Sequence, residues 1–287
     1  MLHIPVMPAE SISLLAVRTG GLYLDCTAGL GGHTALIAQQ LVSGTVIAND
    51  RDSVSLEMAR QNTAEWKDRI RFHQGPFSTL AKAVAEVAMG KLDGLLADLG
   101  VSRYQLTDPL RGFSFMSDGP LDMRMDQSTG MTAADLVNYT DEKTLADLIF
   151  HLGEERRARK VARAIVRARP IRSTLHLADV VLRAVPRTGR LHPATKTFMA
   201  LRMEVNDEPA ELDRLLQIGP DLLKPGGRMV VISFMSIDDR KVKEAFKALG
   251  RDGRATILTK HPLQPSDEET GRNPAARSAK LRALELN

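Results

Sequence analysis

Tyr23-Leu24-Asp25-Cys26-Thr27-Ala28-Gly29-Leu30-Gly31-Gly32-His33-Thr34 is the stretch on which the fold reading turns. An apolar run, Leu22 to Leu24, stops at an acid. A glycine-rich turn follows, and a helical pattern then runs from Thr34 to Leu41. That succession predicts a strand, a tight turn and a helix N-terminus, the first βα unit of a Rossmann-like sheet. Glycines let backbone approach a ligand, and N–H groups at a helix start favour electron-rich ligand atoms. Taken alone, the loop is also consistent with a turn that binds nothing.

Its neighbours narrow the ligand. A dinucleotide fingerprint needs a third glycine at position 34, where this chain has Thr34, which disfavours NAD and FAD. The chain has no G-x-x-x-x-G-K-[ST] segment, which disfavours nucleoside triphosphates. Thr45-Val46-Ile47-Ala48-Asn49-Asp50 reads as a second strand ending in an acid, placed to grip ribose hydroxyls. An adenosine-type ligand without a pyrophosphate fits this set, namely S-adenosyl-L-methionine.

The 287 residues suffice for one large domain or two smaller ones. Hydrophobic residues make up 43% and aromatic ones 4%, as in an ordinary α/β protein. A formal net charge of +4 permits a nucleic-acid partner without demanding one. The single cysteine, Cys26, excludes an internal disulfide framework and fits a reducing compartment. Met1 to Val17 carries no basic residue and no long apolar stretch. Neither a signal peptide nor a membrane span is therefore expected, and the expected location is the cytoplasm.

Along the chain, a short helix over 9–15 is expected against the sheet edge. Strands are predicted at 22–24, 45–49, 69–73 and 92–98, alternating with helices at 33–42, 52–64 and after Ser78, with Asp52 as an N-cap. Apolar runs alternating with helical patterns argue for a parallel, doubly wound sheet. In such sheets ligands sit beyond the carboxyl ends of strands, where Asp25, Asp50, Phe77 and Asp98 all fall. The alternation stops for about a hundred residues, and helical stretches are predicted at 132–138, 141–151, 154–168, 174–185 and 194–203. The sheet resumes with a helix over 208–223, a Lys224-Pro225-Gly226-Gly227 stop, a strand over 228–234 and a helix over 238–249. An antiparallel pair, 256–259 with 281–286, closes it. The expected organisation is thus a discontinuous α/β domain, 1–106 with 207–287, interrupted by an all-helical insertion over 107–206 for substrate recognition.

Asp98-Leu99-Gly100-Val101-Ser102 follows the fourth strand, where Rossmann-like methyltransferases place the catalytic loop. Methyl transfer from a sulfonium is an in-line displacement, so alignment supplies much of the rate. A base amine has a delocalised lone pair, and an acceptor for its N–H, such as Asp98 or the Leu99 carbonyl, would localise it. Asp98 could equally cap a turn. Cys26 lies on the cofactor side and reads as a small buried residue. That argues against carbon-5 chemistry, which needs a cysteine nucleophile by the substrate. No lysine follows the fifth strand, which favours a nitrogen over a ribose oxygen. Phe113, Phe115 and Phe234 could stack on a flipped base or plug a core. The run Arg156, Arg157, Arg159, Lys160, Arg163, Arg167, Arg169 and Arg172 could track phosphates or be a solvated face. Arg272, Arg277, Lys280 and Arg282 form a second basic cluster. The seven histidines show no metal-site spacing.

Over nearly its whole length the chain resembles the RsmH (formerly MraW) family of bacterial small-subunit rRNA cytosine-N4 methyltransferases. The matching segments begin with His3 to Val6, Asp25 to His33, Arg111 to Phe115 and Asp118 to Met125. They continue with Gly153 to Arg156, His192 to Thr195, Ala200 to Arg202, Val205 to Glu208, Val231 to Phe234 and Arg277 to Arg282. The resemblance implies N4-methylation of a cytidine in the decoding centre of 16S rRNA, within the small ribosomal subunit, by a class I methyltransferase fold. It implies cofactor contacts at Gly31, Gly32, His33, Asp50, Phe77, Asp98 and Gln105, with the helical insertion helping to hold RNA. The chain departs from the family pattern at Met235, Met199, Ala276 and Arg103-Tyr104. Two other readings stay open: a small-molecule methyltransferase, and a non-catalytic assembly factor on the same fold.

Overall fold

A computed structural model describes residues 5–87, 90–187, 189 and 191–287. His3 and Ile4, the first half of the His3–Val6 segment, lie outside the described residues. In chain order the elements begin α1 (Pro8–Leu15), β1 (Leu22–Asp25), α2 (Gly32–Gln40), β2 (Thr45–Asp50), α3 (Ser53–Asn62), β3 (Ile70–Gln74), α4 (Leu80–Val87) and β4 (Leu92–Asp98). Six helices follow without a strand: α5 (Arg103–Thr107), α6 (Ala133–Tyr139), α7 (Glu142–His151), α8 (Ala158–Ala168), α9 (Thr174–Ala184) and α10 (Ala194–Val205). Then come α11 (Glu208–Leu222), β5 (Leu223–Ser233), α12 (Ser236–Arg251), β6 (Ala255–Ile257), α13 (Asp267–Arg272) and β7 (Lys280–Leu286).

The chain divides into two compact units, Met1–Gly100 with Ala210–Asn287, and Val101–Pro209. These divisions lie a few residues outside the 107 and 206 expected from sequence, because Val101 packs on the helical core. The first unit holds a seven-stranded sheet ordered β3-β2-β1-β4-β5-β7-β6. Its first five strands run parallel and β7 is antiparallel to both β5 and β6. This is the Rossmann-like arrangement of class I methyltransferases. Side chains alternate between two buried faces: Tyr23, Leu96, Val230 and Ile232 on one, Leu24, Leu95, Met229 and Val231 on the other. Burial on both faces is why these strands read as unbroken apolar runs. Asp52 caps α3 by accepting the Val54 and Ser55 N–H groups at 3.0 and 3.3 Å.

Two elements differ from expectation. Helix α1 packs over the middle of the sheet, against β4 and β5, rather than at its edge. Gly94 makes room for it: a Cβ there would stand 2.7 Å from Leu15 Cδ1. Strand β5 begins at Leu223, paired with Leu92, and runs through the Pro225-Gly226-Gly227 stop as a register shift. Gly226 takes a φ of 74°, the left-handed conformation that lets the strand bulge and resume.

The second unit is helical around one core that includes Leu145, Ile149, Val161, Ile165, Val181, Phe198 and Leu201. Its Gly- and Asp-rich loop is tied down from within. Buried Arg111 donates to the Arg124 and Met125 carbonyls at 3.0 and 2.9 Å. Asn206 accepts the Met125 N–H and donates to the Met123 carbonyl, both at 2.7 Å. Among the described residues no helix is long and apolar enough to cross a membrane.

Gly94→Ala should cost about 1–3 kcal/mol of stability by overpacking α1 against the Tyr23 ring, measured by denaturant unfolding. Combining it with Leu15→Ala should cost less than the sum of the two single changes. Additivity would argue that α1 does not press on β4.

Candidate active site

The carboxyl ends of β3, β2, β1 and β4 lie side by side, and three of the four deliver acids to one edge. Asp25 is fully buried. Its Oδ2 accepts the Thr34 hydroxyl at 2.6 Å and its Oδ1 the Thr27 N–H at 3.1 Å. Threonine thus stands where a dinucleotide fingerprint has glycine because its hydroxyl ties α2 to β1. Burial pushes the Asp25 carboxyl up to about 6, against the lowering effect of those donors. Asp50 accepts the Gly29 N–H at 2.7 Å and the Asp52 N–H at 2.8 Å. Burial raises it to about 6 as well.

Asp98 differs. Its backbone N–H donates to Thr27 Oγ1 at 2.7 Å, but its buried Oδ1 has no hydrogen-bond partner. Oδ2 lies 3.9 Å from His33 Nδ1, and 19% of the side chain remains exposed. Burial, reinforced by the charge of Asp25, pushes this carboxyl up to about 8. His33 is buried, with Nε2 2.9 Å from the Val6 carbonyl. A carbonyl only accepts, so Nε2 carries the proton and the ring fastens the N-terminal segment beside Asp98. No lysine or arginine is ion-paired with Asp25, Asp50 or Asp98 among the described residues.

The glycines of the loop have separate duties. Gly31 sits at φ 89° before α2, and a Cβ there would stand 2.7 Å from Thr63 Cγ2. Gly32 opens α2, where backbone N–H groups lack intrahelical acceptors. Phe77 is half-buried in the short turn after β3, whose next residue, Ser78, donates its N–H to Glu211 at 3.0 Å. Phe234 follows β5, half-buried on the face that carries α1 and α2. The Cys26 thiol is buried and its pKa pushed well above the usual range by burial, as a small core residue should be.

The structure therefore gathers Gly31, Gly32, His33, Asp50, Phe77, Asp98 and Phe234 at one sheet edge of the first unit. The remaining candidates in the second unit divide differently. Gln105 closes a capping box: its Oε1 accepts the Ser102 N–H at 2.9 Å, and its own N–H reaches Ser102 Oγ at 3.2 Å. Phe113 is only 6% exposed in the helical core, so it plugs that core and offers no face to a base. Phe115 packs on His192 and Phe198, with ring centroids 4.7 and 4.9 Å away. Arg157 is held by Glu155 at 3.3 Å. Arg156, in the turn before α8, is exposed, and so are Lys160, Arg163 and Arg167, which share one side of α8 at helical spacing. Only Arg163 of those four has an ion-pair partner among the described residues, Glu142 at 3.2 Å.

The second basic cluster, in the first unit, is largely neutralised. Arg282 is buried in a two-pronged pair with Asp239 at 2.7 and 3.2 Å. Lys280 lies 3.5 Å from the same carboxylate, while Arg277 is exposed. Sequence reasoning missed Asn49, whose buried amide donates to the Cys26 and Gly75 carbonyls at 2.9 and 3.1 Å and meets His73 Nδ1 at 2.7 Å. A lone amide at the end of an apolar strand was the available signal, because buried polar groups must find partners.

Residues 1–287 match the model of the MraW methylase family throughout. The chain belongs to the MraW methylase family. A Ribosomal RNA small subunit methyltransferase H from Solibacter usitatus is 76% identical over 285 residues, covering 99% of this chain and 100% of that one. The protein of the same name from Acidobacterium capsulatum is 50% identical over 293 residues, covering 99% and 98%. Among solved structures, an rRNA methylase from Streptococcus thermophilus superposes with a TM-score of 0.42 at 14% identity, covering 97% of this chain and 96% of that one.

In this MraW-family chain the three acids keep their protons to higher pH when folded than when unfolded. They therefore draw stability down as pH rises from about 4, through about 6 and then about 8. Asp98→Asn removes the last of these steps. It should leave stability unchanged near pH 4 and raise it by on the order of 5 kcal/mol near pH 9, the worth of a proton held from about 4 up to about 8. Equal unfolding midpoints at both pH values would show that the Asp98 carboxyl is not held protonated.

Proposed function

We propose that this chain transfers the methyl group of S-adenosyl-L-methionine to the exocyclic N4 of a cytidine in the decoding centre of 16S rRNA, within the small ribosomal subunit. The observation that carries the reading is the orphaned, buried Oδ1 of Asp98, in an acid cluster that no lysine or arginine pairs with among the described residues. When bound, S-adenosyl-L-methionine supplies an activated methyl on a positively charged sulfur. A sulfonium beside these carboxyls would supply the charge the cluster lacks, so the residues present fit the group.

Each Asp50 oxygen accepts one N–H and keeps a lone pair for a ribose hydroxyl. The Gly31-Gly32-His33 turn offers backbone N–H groups to a carboxylate. Phe77, half-buried after β3, would offer its ring to the adenine. Asp98 accepts an N–H of the target amine, which localises the nitrogen lone pair and aims it for in-line attack. His33 keeps Asp98 in register through its fixed ring. In the helical unit, the exposed cations Arg156, before α8, and Lys160 and Arg167, on it, follow the RNA backbone. The name that these relatives share supports ribosomal RNA of the small subunit as the substrate.

The test uses small subunits from cells lacking the modification, incubated with the protein and methyl-labelled donor, followed by mass spectrometry of the digested RNA. Label in N4-methylcytidine is expected. Label in another nucleoside would overturn the choice of atom, and no label with donor binding intact would make the chain a binding factor. Asp98→Ala should lower turnover about 100-fold or more. Asp50→Ala should weaken donor binding by about tenfold, the worth of one hydrogen bond to a charged group.

A further inference from the structure

The first unit carries a basic surface that the cofactor edge does not use. On α12, Arg240, Lys243, Lys247 and Arg251 recur at i, i+3, i+7 and i+11 and so share one side of the helix. Lys243, Lys247 and Lys260 converge on a small notch between α12 and β6. The notch is floored by Phe246 and Ile257 and bordered by Thr259 and Arg282. A shallower depression adjoins it, sharing Lys247 and Ile257 and continuing past Glu244, the one acid on its rim, to Arg251. Lys247, Lys260 and Arg251 are exposed and make no ion pair among the described residues. Lys243 has only its neighbour Glu244, at 3.9 Å. The remaining nearby acid, Asp239, is occupied by Arg282 and Lys280.

Unpaired ammonium groups held close together repel one another, an arrangement that an anion relieves. Lysine binds phosphate as a compact point charge, and arginine adds a planar fork that fits phosphate oxygens, so a row of both suits a polyphosphate backbone. We propose that the notch and its continuation form a phosphate track that grips the backbone of the substrate RNA, separate from the strand-end site. The proposal rests on the RNA-methyltransferase reading.

The test compares the intact protein with a Lys243→Gln/Lys247→Gln/Lys260→Gln variant in binding small-subunit rRNA over a range of salt. Three lost phosphate contacts should shrink the slope of log affinity against log salt by about 2. Affinity at moderate salt should fall at least about tenfold, while melting temperature and donor affinity stay as in the parent. The triple Lys→Arg variant should restore both slope and affinity. An unchanged slope in a folded, donor-binding variant would overturn the track while leaving the functional reading in place. Normal binding to naked rRNA with lost binding to the assembled subunit would assign the surface to an acidic ribosomal protein instead, and overturn the phosphate assignment. Failure of the parent protein to bind or methylate any small-subunit RNA would overturn the functional reading, and the track with it.

Discussion

The loops around the sheet edge are shaped by one electrostatic difficulty, the crowding of one buried and two partly buried carboxyl groups at neighbouring strand ends. Two of them are met with donors. Asp25 receives the Thr34 hydroxyl and the Thr27 N–H, and Asp50 receives the N–H groups of Gly29 and Asp52. The same Thr27 accepts the Asp98 backbone N–H, so the first loop fixes the position of the third acid while leaving Oδ1 unsatisfied. A buried acid without donors holds its proton to higher pH, and Asp98 does so up to about 8. Under the proposed function this has a direct consequence. A cation arriving at the cluster favours the ionised carboxylate, so donor binding and proton release are linked.

Much of this was legible in sequence, for a physical reason. Strands buried on both faces appear as unbroken apolar runs, and the acids that end them mark their carboxyl ends: Asp25, Asp50 and Asp98 could be named before any geometry. What could not be read depends on partners distant in the chain. The Pro225-Gly226-Gly227 segment carries a local stop signal, yet pairing with Leu92 draws it into β5 as a bulge. Helix α1 lies over the sheet centre because position 94 is glycine, a fact that the residues of α1 do not contain. Phe113, between a glycine and a serine, looks like a loop aromatic, but the Arg111 guanidinium lies 5.7 Å from its ring inside the helical core.

Charge was the hardest quantity to read, because a basic run looks the same whether or not its cations are paired. Arg282 and Lys280 share Asp239, an acid on α12 that lies far from them in sequence, and they carry little free charge. The lysines further along α12, by contrast, line one notch with Lys260 beside β6. Free charge is set by the tertiary neighbours of each cation, and composition does not record those neighbours.

The segments that set this family's sequence pattern apart in the helical unit serve mainly as framework. In Arg111-Gly112-Phe113, the arginine holds two loop carbonyls and the phenylalanine fills the core. The glycine takes φ 72°, and a Cβ there would stand 2.2 Å from the Pro120 carbonyl oxygen. Asn206, from the Val205–Glu208 segment, clamps the other side of that loop at Met123 and Met125. Residues that look functional because of their motif can therefore act through the loop they brace. The exposed, unpaired cations Arg156, Lys160 and Arg167 remain as the surface on which the helical unit could meet a polyanion. Division of labour follows from this: the sheet of the first unit brings buried acids to one edge, and the helical unit braces a loop and displays charge. Each task needs a different backbone, a parallel sheet whose strand ends converge and a helix that keeps one face in water.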